Sequence, residues 1–251
     1  MTTSITPGMV FVALLAGILP AIFWLWFWLK EDKPNPEPRG LLILAFLVGM
    51  LATALAYPIQ KYIADNIHIG NLGLLTLWAA TEEVLKFVGI YIVALRSKYF
   101  DEPIDAVIYF ITIALGFSAL ENTMFLFNPI GDGDALATIL LGNFRFIGAT
   151  VLHIATSGFI GVTVALSFYD RRAKRIWISI FGLIGAIALH TLFNFTIIIT
   201  DGAYLYPTFI VLWVFILGII FISEKIKTLA PRSHVEYPHT GIVITIPNKS
   251  I

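Results

Sequence analysis

The chain has 251 residues, of which 58% are hydrophobic and 13% are charged, and its sixteen basic side chains balance sixteen acidic ones. Soluble domains carry about a quarter charged residues, so this composition predicts a multi-pass membrane protein, and the balanced charge argues against a nucleic-acid partner. The chain contains no cysteine, which excludes disulfides and thiol chemistry.

Seven segments are apolar and long enough to span a bilayer, which needs about 20 residues. They cover 8–29, 40–59, 73–95, 104–127, 137–168, 176–200 and 205–222. The N-terminal stretch "MTTSITPGMV" lacks the basic residues of a cleavable signal peptide, so the first segment is predicted to be a permanent helix. The fifth is too long for a straight crossing, and we expect it to tilt or to begin at the interface.

These segments predict an all-α transmembrane domain of seven helices over residues 1–222, followed by a short cytoplasmic tail over residues 223–251. The stretch "GIVITI" in the tail has strand character, but the tail is too short to fold alone.

Basic residues alternate between the loops that connect the predicted spans. The first loop, "KEDKPNPEPRG", contains Lys33 among its basic residues, and the third and fifth loops are also basic. The second loop has only Lys61, and the fourth and sixth have no basic residue. Because cytoplasmic loops are enriched in Lys and Arg, the alternation predicts an outside N-terminus and a cytoplasmic C-terminus.

Ionisable and amide side chains interrupt four of the predicted spans. They are Glu82, Glu83 and Lys86 on the third span, Glu121 and Asn122 on the fourth, Arg145 and His153 on the fifth, and His190 and Asn194 on the sixth. A charged side chain at the bilayer centre costs at least about 2.5–3.5 kcal/mol, so such groups normally face the bundle interior and mark function. A rise of ~1.5 Å per residue places Glu82 and His190 roughly 15 Å, and Glu121 roughly 10 Å, from the outer ends of their spans. We therefore expect one site in the outer half of the membrane.

The polar set contains the groups that peptide hydrolysis requires, namely a base for water, donors for the oxyanion and an acid for the leaving amine. Lys86 can pair with either Glu82 or Glu83 but hardly with both, which leaves the other carboxylate free to act as the base. His190 and Asn194 can donate to the oxyanion. Glu121 can share a proton with the first carboxylate.

A divalent metal is the open alternative, since carboxylate and imidazole groups on different helices suit such an ion. The HExxH motif of helix-borne zinc proteases is absent. No cofactor is expected from the spacing, but zinc is possible, with Glu82, Glu121, His153 and His190 as its candidate ligands.

Structural roles also remain open for some of these residues. Glu83 and Lys86 can form a buried salt bridge that only locks their helix, and His153 can be a hydrogen-bonded core residue. Arg145, near the outer interface, can pair with an acid. Asp105 and Tyr109 are expected to set the entry of the fourth span.

Five stretches together resemble the PrsW family of intramembrane proteases, which is related to the CPBP group that includes the type II CAAX-prenyl endopeptidases. They are "EEVLK" (82–86), "DEPIDAVIY" (101–109), "GFSALEN" (116–122), "RFIGATVLH" (145–153) and "HTLFN" (190–194). The resemblance implies a glutamate-dependent protease of a prokaryotic cell membrane. It also implies site-1 cleavage of a membrane-anchored substrate such as an anti-sigma factor, by an enzyme that is itself embedded in the lipid bilayer.

The resemblance also implies roles for single residues. Glu82 would activate water, and His190 and Asn194 would line the oxyanion site, with Glu83 oriented by Lys86. Where the CAAX enzymes have the motif FxxxH, this chain has a phenylalanine and, four residues later, Glu121 in place of the histidine. The histidine of that motif holds water in the CAAX enzymes, and His153 is the candidate for this role here.

Two functions from other classes compete with the protease. Carboxylates and histidines also form relays in proton- or ion-coupled transporters, although here they gather at one depth and do not reach the cytoplasm. A non-catalytic membrane scaffold is the second rival, in which the polar cluster serves only packing.

Overall fold

The computed structural model describes residues 6–30, 36–229, 232–236 and 243–247. Within these ranges the α-helices are α1 (Pro7–Trp28), α2 (Arg39–Asn66), α3 (Asn71–Val93), α4 (Pro103–Gly131), α5 (Ala135–Phe144), α6 (Thr150–Leu166), α7 (Arg172–Asn194) and α8 (Leu205–Ile226). A first π segment (Arg145–Ala149) joins α5 to α6, and a second (Phe195–Ile199) continues α7. The seven predicted spans therefore correspond to seven continuous helical segments.

Six of these segments are long and apolar enough to cross a membrane. The seventh is α3, which has 23 residues and carries three buried ionisable side chains, Glu82, Glu83 and Lys86. Large apolar side chains such as Phe11, Leu51 and Phe221 cover the outward faces of the bundle. A surface of this kind needs hydrocarbon around it. The prediction of an all-α multi-pass membrane protein is confirmed.

Helix α4 is the centre of the bundle, and α1, α2 and α6 pack along it. Glycines such as Gly116 allow this close packing. A Cβ atom added there would lie 1.9 Å from the backbone oxygen of Phe46 on α2, and one added at Gly49 would lie 2.1 Å from the backbone oxygen of Ile113. Backbones approach this closely only where small residues line the contact.

The remaining helices surround α4. Helix α3 packs between α2 and α7, α7 packs on α3 and α6, and α8 packs along α6 with little contact to α7. The loops 67–70, 132–134 and 200–204 lie at one end of the bundle, because successive long helices alternate in direction. We call this the site end; the alternation of basic residues predicts it to be extracytoplasmic.

The opposite end of α4 is closed by polar contacts. The Asp105 carboxylate accepts hydrogen bonds from the backbone N–H groups of Asp101 (3.0 Å) and Glu102 (2.7 Å), and the Tyr109 hydroxyl donates to Glu37. Asp105 thus forms part of a capping box with Glu102. The prediction that Asp105 sets the entry of this helix is confirmed, while Tyr109 lies more than a turn inside the helix and binds Glu37; neither residue lines the cavity of the site.

Several boundaries differ from the prediction. Helix α2 runs to Asn66, so Lys61 lies inside the helix and pairs with Asp65 at 2.9 Å. Helix α8 ends at Ile226, beyond the predicted end of the seventh span at residue 222. Strands β1 (Arg232–Glu236) and β2 (Val243–Pro247) pair antiparallel in the tail, and β2 contains part of "GIVITI". Lys33 of the first loop lies outside the described residues.

Candidate functional site

Glu82 lies on the face of α3 that meets α2 and α7. Its Oε1 atom accepts a hydrogen bond of 2.7 Å from the Gln60 amide on α2. Its Oε2 atom is buried without a hydrogen-bond partner and lies 3.7 Å from Nε2 of His190 on α7. One oxygen of this carboxylate is thus held in place while the other has free lone pairs.

Glu83 is fully buried and joins α3 to α7. Its Oε1 atom accepts hydrogen bonds from the Lys86 ammonium (2.7 Å) and from Nδ1 of His190 (2.7 Å). The sequence leaves open which glutamate Lys86 holds, and the structure shows that it is Glu83. A carboxylate that accepts from one imidazole nitrogen fixes the ring and its tautomer, so Glu83 orients His190.

His153 on α6 connects the two halves of the cluster. Its Nδ1 atom lies 3.2 Å from the Lys86 ammonium, and its Nε2 atom lies 3.1 Å from Oε2 of Glu121 on α4. An ammonium can only donate, so Nδ1 of His153 is the acceptor and Nε2 carries the proton that is donated to Glu121. In its neutral form His190 therefore holds the tautomer opposite to that of His153, with the lone pair of Nε2 directed toward Glu82.

Arg145 is held by two acceptors on α4. Its guanidinium donates to Glu121, and its Nε atom donates to the Asn122 side-chain oxygen at 2.6 Å. The Asn122 amide in turn donates to Thr150 at 2.9 Å. Arg145 thus pairs with an acid, one of the roles left open by the sequence, and Glu121 binds Arg145 and His153 instead of sharing a proton with Glu82.

A cavity of about 340 Å³ opens on this cluster. Six of the predicted residues line it: Glu82, Glu121, Arg145, His153, His190 and Asn194. The other three, Glu83, Lys86 and Asn122, lie behind them and hold them through hydrogen bonds. The structure thus brings together all nine residues in one region, with an inner supporting set and an outer set that faces the cavity.

Both π segments adjoin residues of the site. The first begins at Arg145, and the second begins directly after Asn194. A π segment inserts an extra residue per turn and is frequent at functional sites. The first segment lies within the fifth predicted span, between α5, which has no buried residue, and α6, which is almost entirely buried.

Sequence reasoning missed Gln60 and Trp78. The Gln60 amide donates to Glu82 and, at 3.4 Å, to the backbone oxygen of Trp78, whose indole N–H donates back to the backbone oxygen of Gln60 at 3.2 Å. The predicted second span ends at residue 59, which places Gln60 in a loop. The signal available in the sequence was the amphipathic continuation of that helix past Pro58.

The cluster also contains donor atoms that suit a metal ion. Glu82, His153 and His190 each offer one ligand atom, and these atoms lie within 4.8 Å of one another. When Glu82 is ionised and His190 is neutral, lone pairs on Oε2 and Nε2 face each other across 3.7 Å, an arrangement that a cation or a water molecule satisfies. Glu121 is outside this group and binds Arg145 and His153.

A buried cluster of carboxylates and imidazoles, open to a cavity inside a multi-pass helical bundle, is the arrangement expected of a membrane-embedded hydrolase. A family model described as "PrsW family intramembrane metalloprotease" matches residues 37–221. The chain belongs to the PrsW family of intramembrane proteases.

Curated relatives agree with the family match. The chain is 26% identical to Protease PrsW of Bacillus subtilis (strain 168) over 217 residues, which cover 82% of this chain and 92% of that protein. It is 24% identical to Protease PrsW of Halalkalibacterium halodurans over 217 residues, with 81% and 93% covered. It is 32% identical to Protease PrsW of Geobacillus kaustophilus over 136 residues, with 52% and 59% covered. No solved structure matches the chain. The predicted family and the peptidase class are confirmed.

Proposed function

We propose that the chain is an endopeptidase that cuts a membrane-anchored protein near its extracytoplasmic surface, with Glu82 as the base that activates water. One observation carries this proposal. Within the part of the chain that the structure describes, the Oε2 atom of Glu82 has no hydrogen-bond partner; it lies 3.7 Å from Nε2 of His190, and Glu82 lines the cavity. Two acceptors at this distance can hold a water molecule between them.

In the proposed reaction, Glu82 takes a proton from this water while the water oxygen attacks the carbonyl carbon of the scissile bond. The protonated Glu82 then passes the proton to the amide nitrogen as the carbon–nitrogen bond breaks. Nε2 of His190 accepts a hydrogen bond from the same water and orients it. The hydrogen bond from Gln60 to the other oxygen keeps Oε2 directed at the cavity.

The oxyanion needs donors that point into the cavity. With Nδ1 of His190 donating to Glu83, the neutral ring offers Nε2 as an acceptor, and the donor role expected for His190 requires its protonated form. Asn194 and Arg145 line the cavity and both carry N–H groups. Arg145 is positioned by Glu121 and Asn122, which supports a role for this ion pair in binding the charge that develops on the substrate.

The predicted topology supports the side of cleavage. Glu82 lies at the midpoint of α3, while Glu121 lies ten residues before the end of α4 at Gly131, or roughly 15 Å from the site end at ~1.5 Å per residue. The alternation of basic residues predicts this end to be extracytoplasmic. A cut there falls in the juxtamembrane segment of a substrate, which supports site-1 cleavage of a protein such as an anti-sigma factor.

A metal-dependent reaction is the second candidate, and the facing lone pairs of Glu82 and His190 favour it. Glu82, His153 and His190 would hold the ion. To bind it, His153 would have to give up its hydrogen bond to Glu121. A divalent ion such as zinc would polarise the scissile carbonyl and supply hydroxide at neutral pH. In this case Glu82 is a ligand and not the base.

Cleavage of single-span reporter proteins by the purified enzyme in liposomes tests the proposal. The wild type is assayed with and without a strong chelator, beside Glu82→Gln and the control Asp65→Asn, which removes an exposed carboxylate. Glutamate catalysis predicts cleavage that resists the chelator and is lost in Glu82→Gln only. Loss on chelation, recovery with added zinc, and bound metal that disappears in His190→Ala would instead establish the metal-dependent reaction. Absence of cleavage by the wild type would contradict both.

A further inference from the structure

A lipid-facing groove of about 270 Å³ lies between α7 and α8 at the site end. We call it the α7–α8 groove. Its lining is almost entirely apolar and includes Leu189, Leu192, Thr196, Thr208, Val211 and Leu212. No charged side chain lines it. Such a surface is complementary to the uncharged face of another transmembrane helix.

The groove and the cavity lie side by side and are separated by one aromatic pair. Phe193 lines both the groove and the cavity, and Phe209 lines the cavity. Their rings are stacked, with centroids 6.0 Å apart and an interplanar angle of 9°. The Phe209 ring also rests on Gly148 of the first π segment, where an added Cβ atom would lie 2.3 Å from the ring. Two rings therefore form the wall between hydrocarbon and the site.

Among the described residues, no hydrogen bond or ion pair joins α7 to α8 at this level, and their contact there is the stacked pair of Phe193 and Phe209. Helices α2 and α3 are joined by hydrogen bonds between Gln60 and Trp78, and α3 and α7 by the bond between Glu83 and His190. Helix α8 packs along α6 and has little contact with α7. Separating Phe193 from Phe209 breaks apolar contacts only, which the apolar surface of an incoming helix replaces.

We propose that the α7–α8 groove binds the transmembrane helix of the protein substrate, and that the segment to be cut enters the cavity between Phe193 and Phe209. This inference rests on the proposed endopeptidase function and adds the surface that recognises the substrate. A second lipid-facing groove, between α2 and α3, provides an internal comparison. It is lined by residues such as Leu51, Leu55 and Val88, and none of its lining residues lines the cavity.

Two matched tryptophan substitutions test the proposal. Val211→Trp fills the α7–α8 groove, and Leu55→Trp fills the α2–α3 groove; both side chains are aliphatic and exposed on the lipid face. The probe is the single-span reporter that the wild type cleaves best, carrying an apolar helix of about 20 residues. We expect Val211→Trp to lower kcat/KM about tenfold, the effect of losing about 1.4 kcal/mol of substrate binding, and Leu55→Trp to leave it unchanged.

Photocrosslinking in the inactive Glu82→Gln background separates substrate binding from catalysis. A photoreactive amino acid at position 211 should crosslink the reporter helix, and one at position 55 should not. Equal cleavage by the two tryptophan variants, or crosslinks to lipid alone at position 211, would overturn the groove while leaving the protease intact. Failure of the wild type to cut any reporter would overturn the proposed function and this inference with it.

Discussion

The Lys86→Met substitution tests how the buried charges of the site are balanced. Lys86 has no exposed surface, and its ammonium lies 2.7 Å from Glu83 and 3.2 Å from Nδ1 of His153. Methionine keeps the length of the side chain but removes its charge, so the buried carboxylate of Glu83 loses its cation. Breaking a buried ion pair from one side costs about 3–5 kcal/mol, and we expect the free energy of unfolding to fall by that amount.

The double variant Glu83→Gln/Lys86→Met supplies the magnitude of the interaction itself. It removes both charges, so neither group is left buried and uncompensated. We expect it to lose less stability than the sum of the two single variants, with a coupling of about 1–3 kcal/mol, as is typical of residues in direct contact.

Equilibrium unfolding in mixed detergent micelles, followed by far-UV circular dichroism, measures these differences. Lys61→Met is the matched control, because Lys61 forms an exposed pair with Asp65 and should change nothing measurable. Wild-type stability in Lys86→Met, or a double variant that loses the full sum, would show that Lys86 is not the counterion of Glu83.

Three further predictions concern packing and positioning. Gly116→Ala should destabilise the protein by about 1–3 kcal/mol, because the added Cβ atom would overlap the α2 backbone. The control Gly218→Ala should not, because that position faces open space. Thermal aggregation in detergent compares the two variants, and equal midpoint temperatures would contradict the close helix contact. Arg145→Lys should slow reporter cleavage by roughly tenfold or more, because a lysine cannot bind two partners in the geometry of the guanidinium. An unchanged rate would show that Arg145 has no role in the site. Gln60→Leu should reduce kcat at little cost in stability, because it frees the Glu82 carboxylate to rotate. Kinetic and unfolding measurements on the same variant check this prediction. A large loss of stability with unchanged kcat would assign Gln60 a structural role.

The helical architecture was predictable because membrane spans depend on simple properties. Long apolar runs and loops of alternating charge specify the number and the approximate bounds of the helices, and the cost of buried charge predicts that the polar residues gather. The π segment at Arg145 was not predictable in the same way. Its extra residue per turn depends on tertiary contacts, such as the hydrogen bonds from Arg145 to Glu121 and Asn122.

Pairings inside the site show where sequence spacing reaches its limit. The spacing of Glu82, Glu83 and Lys86 allows either glutamate to bind the lysine, and only the position of His190 on another helix distinguishes them. Glu121 lies at the expected depth, but the chain offers no local sign that Arg145 binds it. Partners that come from different helices depend on how the helices rotate about their axes, which apolar periodicity defines weakly in a bundle that is hydrophobic on nearly all faces.

The most direct test of the central proposal is the rate at which Glu82→Gln cleaves a single-span reporter in liposomes, compared with the wild type and Asp65→Asn. Glutamine keeps the shape of the side chain but cannot take a proton from water. General-base catalysis typically contributes about 10²–10⁴-fold to the rate. We therefore predict that the cleavage rate falls by a factor in this range or more in Glu82→Gln and is unchanged in Asp65→Asn. Cleavage by Glu82→Gln within a few-fold of the wild type would contradict the assignment of this residue and of the site built around it.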